Sequence, residues 1–208
     1  MIGGLINRGH EASLISASDL DTEKLDALAT KTGLSAADNE TIAQTADVIV
    51  LAVKPQVMSA VSTELAVSLG ERRPLIVSIA AGITLSALER WFGPDAALVR
   101  CMPNTPALVG SGASGLFANA LVNAAQRSIA DQLLDAVGLS VWVETESDID
   151  SVTALSGSGP AYFFLMMEAM QESAVKLGLS SELAKALTYQ TALGAAQLAL
   201  ASDEETAQ

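Results

Sequence analysis

Three short loops of small or proline-restricted residues follow three of the predicted strands. They are Ala52-Val53-Lys54-Pro55, Ser78-Ile79-Ala80-Ala81-Gly82 and Cys101-Met102-Pro103-Asn104-Thr105-Pro106. Small residues let a backbone approach a flat ligand closely, and prolines fix the geometry of a loop. In an open α/β sheet, ligands bind at the carboxyl ends of the strands. We therefore expect these loops to form a ligand site.

Two side chains in these loops are candidates for polar contacts. Lys54 can contact the ribose or a phosphate of a cofactor, although a lysine at a strand end is also commonly a solvated charge. Asn104 can both donate and accept hydrogen bonds through its amide. Its alternative role is local, as the first residue of an Asx-type turn.

A fourth segment, Ser156-Gly157-Ser158-Gly159-Pro160-Ala161-Tyr162, precedes a long apolar helix. With Pro160 in the first turn and unbonded N–H groups near Ser158, it is suited to bind an anion at a helix start. The alternative is a helix break that lets two helices cross.

Several kinds of site are excluded by composition. The chain has one histidine, His10, and one cysteine, Cys101, so neither a zinc site nor a triad with a second imidazole is expected. No metal is predicted, and no catalytic nucleophile or base is assigned. The formal net charge of -13 disfavours nucleic acid and anionic membranes as partners. Without a leader sequence or membrane-spanning stretch, we expect a cytoplasmic protein.

Short runs rich in valine, isoleucine and leucine alternate with helical patterns. The predicted strands are Ala12–Ser16, Val48–Val53, Leu75–Ala80, Ala97–Met102 and Ser140–Val143. Most are continuously apolar, as in parallel strands that helices cover on both faces. The pattern therefore predicts a doubly wound α/β fold.

Helix start signals stand between these strands. The predicted helices, with their N-caps in front, are Asp21 before Glu23–Lys31, Asn39 before Glu40–Thr45, Thr84 before Leu85–Phe92, and Asn123 before Ala124–Val137. Gly33, Gly93 and Gly138 are predicted helix stops.

Beyond residue 145 only helices are predicted, over Asp148–Leu155, Ala161–Leu177 and Ser181–Ser202. We place a cofactor-binding domain at 1–145 and a helical domain at 146–208. The helix containing AYFFLMMEAM is apolar on nearly every side, and the next helix carries small residues that permit close helix packing. We therefore predict a homodimer or a higher homo-oligomer.

In order and spacing, several segments resemble the Δ1-pyrroline-5-carboxylate reductase family. They are AVKPQ, SIAAGI, VRCMPNTPALVGSGASGL, IDSVTALSGSGPAYFF, LGLS and TALGAAQLAL. The resemblance runs from about Gly3 to Ser202 and implies a Rossmann domain joined to a helical dimerisation domain.

The resemblance also implies a site and a reaction. Hydride transfer from NADP(H), with NAD(H) possible, to the C=N carbon of pyrroline-5-carboxylate would give L-proline, chiefly through positioning. The implied cofactor-binding residues are Asn39, Ala52, Val53, Lys54, Pro55, Ile79, Ala80, Ala81 and Asn104. The implied substrate-binding residues are Ser156, Gly157 and Ser158.

Departures from the family pattern concern both ends. The first family strand with its glycine fingerprint and a later Ser-Pro-Gly-Gly-Thr-like segment are not found between Met1 and Gln208. We therefore expect a fragment with weak cofactor binding and little activity. The alternatives are a non-catalytic dimerisation module and a β-hydroxyacid dehydrogenase, whose proton-donating lysine would have to be Lys176 or Lys185.

Overall fold

The computed structural model describes residues 1–202. Within this range the strands are β1 Ser16–Ala17, β2 Ser35–Ala36, β3 Val48–Leu51, β4 Leu75–Ser78, β5 Ala97–Met102, β6 Gly112–Ala118 and β7 Gly138–Trp142. The α-helices are α1 Ile2–Asn7, α2 Thr22–Thr32, α3 Asn39–Thr45, α4 Met58–Leu69, α5 Leu85–Phe92, α6 Ala124–Asp135, α7 Asp148–Val152, α8 Gly159–Lys176 and α9 Ser181–Ala201.

Five strands form one sheet in the order β3-β4-β5-β6-β7. Pairing is parallel except between β5 and β6, which are antiparallel. The strands β1 and β2 form a separate parallel pair, and no strand of the described residues joins this pair to the larger sheet. Helices alternate with the parallel strands, so the predicted α/β architecture is confirmed.

The predicted strands are confirmed for the middle of the chain and wrong at its start. Within Ala12–Ser16, residues Ala12–Leu14 form a 3-10 turn, and the strand begins only at Ser16. β6 was not predicted, because its sequence GASGLFA carries glycine and serine where a strand usually has branched side chains. Hydrogen bonds from neighbours on both sides hold it in the sheet.

Most predicted helix caps are confirmed. Asp21, Thr84 and Asn123 each accept a main-chain N–H from the first turn of their helices. The remaining predicted cap, Asn39, is displaced by one residue, because Asp38 caps α3 and Asn39 is already its first helical residue. α4 was not predicted, since its Val and Ser residues carry no start signal, although it buries Met58, Ser62, Leu65 and Leu69.

Gly33 and Gly93 end helices as predicted, but Gly138 does not. α6 ends at Asp135, and Gly138 begins β7 with φ +154. A Cβ there would clash with the carbonyl oxygen of Gly112, the partner residue in β6. Glycine is needed at position 138 because two strands approach closely, not because a helix stops.

The large sheet is covered on both faces. On β4, Ile76 faces one apolar cluster while Leu75 and Val77 face another. On β5, Leu98 joins the first cluster and Val99 the second. Each fully buried aliphatic side chain contributes about 1.5–3 kcal/mol to folding. Alternate burial on two faces therefore fixes the register of the strands, and with it the edge where their loops emerge.

Contacts divide the chain into one unit ending at Gly157 and another beginning at Ser158. The predicted domain boundary after residue 145 stays a prediction. In the second unit, α8 and α9 pack on each other but expose many large apolar side chains. Those more than half exposed are Tyr162, Phe163, Phe164, Leu165, Met166, Leu177, Leu187, Leu193, Leu198 and Leu200.

None of the helices within residues 1–202 combines the length and apolarity needed to cross a membrane.

Candidate functional site at the carboxyl edge of the sheet

Three neighbouring strands bring the predicted loops to one edge. β3, β4 and β5 run parallel, with Leu51 opposite Ser78 and Ser78 opposite Arg100. The N–H of Ile79 donates to the carbonyl of Leu51 at 3.1 Å, so pairing continues to the mouth of the first two loops. The segments 52–55, 79–82 and 103–106 therefore leave the sheet at the same edge.

The first two loops present backbone and small side chains to solvent. Ala52 and Ala81 are exposed, while Val53 and Ala80 pack into the first apolar cluster and Ile79 packs against the second. Gly82, with φ +74, has no heavy atom within 4 Å of where a Cβ would stand. Part of each loop packs against an apolar cluster, and the rest is exposed to solvent. A flat ligand can therefore approach the exposed backbone closely.

Lys54 supplies the positive charge of the first loop. It precedes a 3-10 turn over Pro55–Val57, and both Lys54 and Pro55 are exposed. Within residues 1–202 it makes no ion pair. Its ammonium group is therefore available to an anionic group placed at this edge.

Asn39 lies in a different setting. Its side-chain amide donates to Glu64 of α4 at 3.3 Å, which joins the start of α3 to the neighbouring helix. Asp38 in front of it accepts from the hydroxyl and the N–H of Thr41, and these hydrogen bonds lower the pKa of its carboxyl group. The structure thus gives Asn39 a contact between helices, while its predicted role in cofactor binding stays a prediction.

Asn104 connects two segments that are distant in sequence. Its Nδ2 donates to the carbonyl of Ser156 at 3.0 Å, and its Oδ1 accepts the N–H of Ala113 at 2.9 Å. Neither contact is that of an Asx turn, because the partners lie 52 and 9 residues away. The amide therefore holds the third loop against the start of β6 and against the predicted substrate segment.

The predicted substrate segment begins in an irregular turn. After α7 the chain forms a short π-helix over Thr153–Gly157, the π-turn. In it the Ser156 hydroxyl donates to the carbonyl of Val152 at 3.0 Å. A Cβ on Gly157 would lie 2.7 Å from Cε of Met102, so this turn packs closely against the end of β5. Ser158 belongs to the second unit, where it is the N-cap residue of α8 without capping it through its side chain.

The sequence did not predict the ion pairs of Arg100, a buried arginine whose partner Asp150 has a side chain that is 80% exposed. Arg100, with 7% of its side chain exposed, pairs with Glu146 at 3.0 Å and with Asp150 at 3.4 Å. The sequence held two signals for these ion pairs. One arginine interrupts the apolar strand ALVRCM, and two acids stand four residues apart near the start of a helix.

Cys101 is not a reactive thiol. It is buried on β5, and this burial raises the pKa of the thiol to about 12, although a hydrogen bond with Ser114 acts in the opposite direction. The thiolate is the reactive form of cysteine, so a thiol with this pKa stays inert at neutral pH. Within the described part of the chain, no three His, Cys, Asp or Glu side chains are grouped to hold a metal ion.

Comparisons with known proteins give consistent results. Residues 146–208 match the family described as pyrroline-5-carboxylate reductase dimerisation, and residues 1–82 match the family described as NADP oxidoreductase coenzyme F420-dependent. The chain is 54% identical to pyrroline-5-carboxylate reductase from Pseudomonas aeruginosa over 100% of its own length and 76% of the relative.

Two solved structures are also similar. A pyrroline-5-carboxylate reductase from Coxiella burnetii superposes with a TM-score of 0.94 at 45% identity, over 98% of this chain and 76% of that chain. The pyrroline carboxylate reductase of Plasmodium falciparum with NADP bound gives a TM-score of 0.84 at 32% identity, over 97% and 74%.

Proposed function

Because this chain belongs to the pyrroline-5-carboxylate reductase family, we propose that it transfers a hydride from NAD(P)H to the C=N carbon of Δ1-pyrroline-5-carboxylate, giving L-proline. NADP(H) is the preferred cofactor, and NAD(H) is the alternative. The relative from Pseudomonas aeruginosa, 54% identical over the whole chain, carries this conclusion.

The residues at the sheet edge fit a dinucleotide. The loops at 52–55 and 79–82 offer open backbone beside anchored side chains, and Gly82 faces free space. Lys54 adds an exposed cation in a chain whose net charge is -13. We assign Ala52, Val53, Lys54, Pro55, Ile79, Ala80 and Ala81 to the cofactor on this basis. Asn39, at the start of α3, is assigned with them.

Asn104 of the third loop is assigned to the cofactor, and Ser156, Gly157 and Ser158 are assigned to the substrate. Asn104 donates to the carbonyl of Ser156, so the loop that follows β5 is tied to the π-turn at this residue. A protonated C=N group is already electrophilic, and the bound nicotinamide supplies the hydride. These residues therefore need only position the substrate carbon and limit its motion.

The protein acts as a homo-oligomer. Residues 146–208 match a dimerisation family, and the apolar side chains of α8 and α9 are exposed in the single chain. A cytoplasmic location is part of the proposal, supported by a sequence with one cysteine, which cannot form an internal disulfide.

The dehydrogenase alternative has less support. Lys176 is 77% exposed and lies 3.9 Å from Glu172, one helical turn before it. Lys185 is exposed beside the ring of Tyr189. Both lysines are exposed to solvent, and neither lies in a cleft of residues 1–202 where it would contact a substrate.

The test measures consumption of NADPH by the purified chain with pyrroline-5-carboxylate, and formation of L-proline as the product. In parallel, reduction of NADP+ is followed with a panel of β-hydroxyacids. We expect turnover with the first substrate only, at the low rate that the sequence predicts. Turnover of a hydroxyacid would support the dehydrogenase, and a folded dimer that binds neither cofactor would support the non-catalytic module.

A further inference from the structure

Arg100 is a charged side chain inside the sheet core. Its neighbours on β5, Val99 and Cys101, are both buried, and the side chain of Arg100 is only 7% exposed. A buried charge needs partners, and replacing a buried ion pair by apolar residues is often neutral for stability. Stability alone therefore does not explain an arginine here, and its two partners belong to segments that lead to the candidate site.

The first partner, Glu146, is shared with the helix that follows the second loop. One carboxylate oxygen of Glu146 accepts from Nη1 of Arg100 at 3.0 Å and from the N–H of Leu85 at 2.7 Å. Leu85 is the first residue of α5, three positions after the loop residue Gly82. Arg100 thus holds the carboxylate that fixes the start of α5 and the end of this loop.

The second partner lies on the path to the substrate segment. Asp150 of α7 accepts from Nη2 of Arg100 at 3.4 Å. α7 runs directly into the π-turn at Thr153–Gly157, where the carbonyl of Ser156 accepts from Asn104. One guanidinium therefore connects the loop assigned to the cofactor with the turn assigned to the substrate.

We propose that Arg100 is a positioning residue for hydride transfer. Through Glu146 it sets the loop at 79–82, and through Asp150 it sets the turn at 153–157. A planar guanidinium can hold two carboxylates at fixed angles, whereas an ammonium group acts as a point charge. This inference rests on the proposed reductase function, because it concerns the distance between donor and acceptor carbons.

The test compares Arg100→Met, Arg100→Lys and Glu146→Gln with a matched control, Arg72→Met. Arg72 also pairs with an aspartate, Asp47, at 3.6 Å. Arg72 lies before the first residue of β4, however, whereas the loop at 79–82 follows the last residue of that strand. Melting curves select the variants that fold. In Glu146→Gln the side chain keeps an oxygen for the N–H of Leu85 and loses the charge that pairs with Arg100.

We expect kcat of Arg100→Met to fall about 100-fold, the effect of misplacing reacting groups by about 1 Å. The Kd for NADPH should change less than about threefold, since direct cofactor contacts remain. Arg100→Lys should recover part of kcat and Arg72→Met should match the wild type. Equal losses in Arg100→Met and Arg72→Met, or a wild-type kcat in Arg100→Met, would overturn the proposal. If Arg100→Met does not fold, kcat of Glu146→Gln is compared with that of Arg72→Met instead, and a wild-type kcat or an equal loss would again overturn the proposal.

A second readout separates this inference from the proposed function. Amide hydrogen exchange is measured in the wild type, at residues 79–85 in Glu146→Gln and at residues 153–157 in Asp150→Asn. Faster exchange at both segments supports the positioning role even when the wild type shows no reductase activity, a result that would reject only the proposed function. Unchanged exchange at both segments rejects the positioning role.

Discussion

The side-chain amide of Asn104 donates to the main-chain carbonyl of Ser156 at 3.0 Å, joining the end of β5 to the turn that follows α7. The same amide accepts the N–H of Ala113 through Oδ1 at 2.9 Å. An asparagine that satisfies two main-chain groups from different segments fixes the distance between them. The Asn104 side chain therefore ties the loop at 103–106 to the turn at 153–157.

The first prediction compares Asn104→Ala with Asn119→Ala. Asn119 also bridges two main-chain groups, with Nδ2 donating to the carbonyl of Ala96 and Oδ1 accepting the N–H of Leu98. These contacts lie at the beginning of β5, away from the loop that follows it. In both variants the loss of two partly buried hydrogen bonds should lower the free energy of unfolding by about 1–3 kcal/mol.

Only Asn104→Ala should also lower kcat/KM for pyrroline-5-carboxylate, by at least about tenfold. Urea unfolding and steady-state kinetics measure the two effects. If both variants lost activity in proportion to their stability, the link between Asn104 and Ser156 would have no particular role in the reaction.

Much of the fold follows from local patterns in the sequence. The continuous apolar runs predicted β3, β4 and β5, because strands buried on both faces need apolar side chains at every position. Asp21, Thr84 and Asn123 predicted helix starts through their own hydrogen bonds to the first turn. In each case the signal and its effect lie within a few residues of one another.

The parts that escaped prediction depend on distant partners. β6 is held by β5 and β7, so its glycines and serine gave no strand signal. Gly138 is required by the backbone of Gly112, which lies 26 positions earlier. The ion pairs of Arg100 join residues 46 and 50 positions apart. The loop motifs predicted where the candidate site lies, but not the buried contacts that set its geometry.

The second prediction concerns cofactor affinity and Lys54. Because Lys54 is exposed and has no ion-pair partner in residues 1–202, Lys54→Ala should leave the melting temperature unchanged. An exposed charge pair contributes about 0.2–1 kcal/mol, so the Kd for NADPH should rise by up to about fivefold. Added salt should reduce the difference between the two proteins, since it screens exposed charges.

Fluorescence titration with NADPH at low and high salt makes this measurement. The matched control is Lys31→Ala, which removes an exposed lysine from the last turn of α2. Equal weakening by both substitutions would show a general effect of net charge, and would remove Lys54 from the cofactor site.

The third prediction concerns stability at alkaline pH. The thiol of Cys101 has an ordinary pKa of 9.0 when unfolded, and burial raises its pKa to about 12 in the folded chain. Between these values the unfolded chain releases a proton that the folded chain retains. Folding stability contributed by this thiol is therefore complete below pH 9.0 and is lost as the pH rises towards about 12.

Urea unfolding of the wild type and of Cys101→Ala at several pH values isolates this contribution. The stability advantage of the wild type should shrink by at most about 1.4 kcal/mol per pH unit in this window. Other titrating groups are common to both proteins and cancel in the difference. A difference that stayed constant from pH 8 to pH 11 would show that Cys101 does not titrate differently in the two states.

The fourth prediction concerns assembly through the second unit. Leu193 on α9 is 52% exposed in the single chain, next to the small residues Ala192 and Gly194. Burial of a leucine contributes about 1.5–3 kcal/mol, and a two-fold interface buries each residue twice. We expect the wild type to sediment as a dimer or a larger oligomer at micromolar concentration. Leu193→Glu should then raise the dissociation constant of this oligomer at least about 100-fold.

The matched control is Leu14→Glu, which places the same charge on an exposed leucine of the first unit. It should leave the sedimentation coefficient unchanged, because the assembly depends on apolar surface of α8 and α9. Equal dissociation by both substitutions would attribute the effect to added negative charge on a chain that already carries -13. A wild-type chain that sediments as a folded monomer would contradict assembly through this surface, and its exposed apolar side chains would then need another partner.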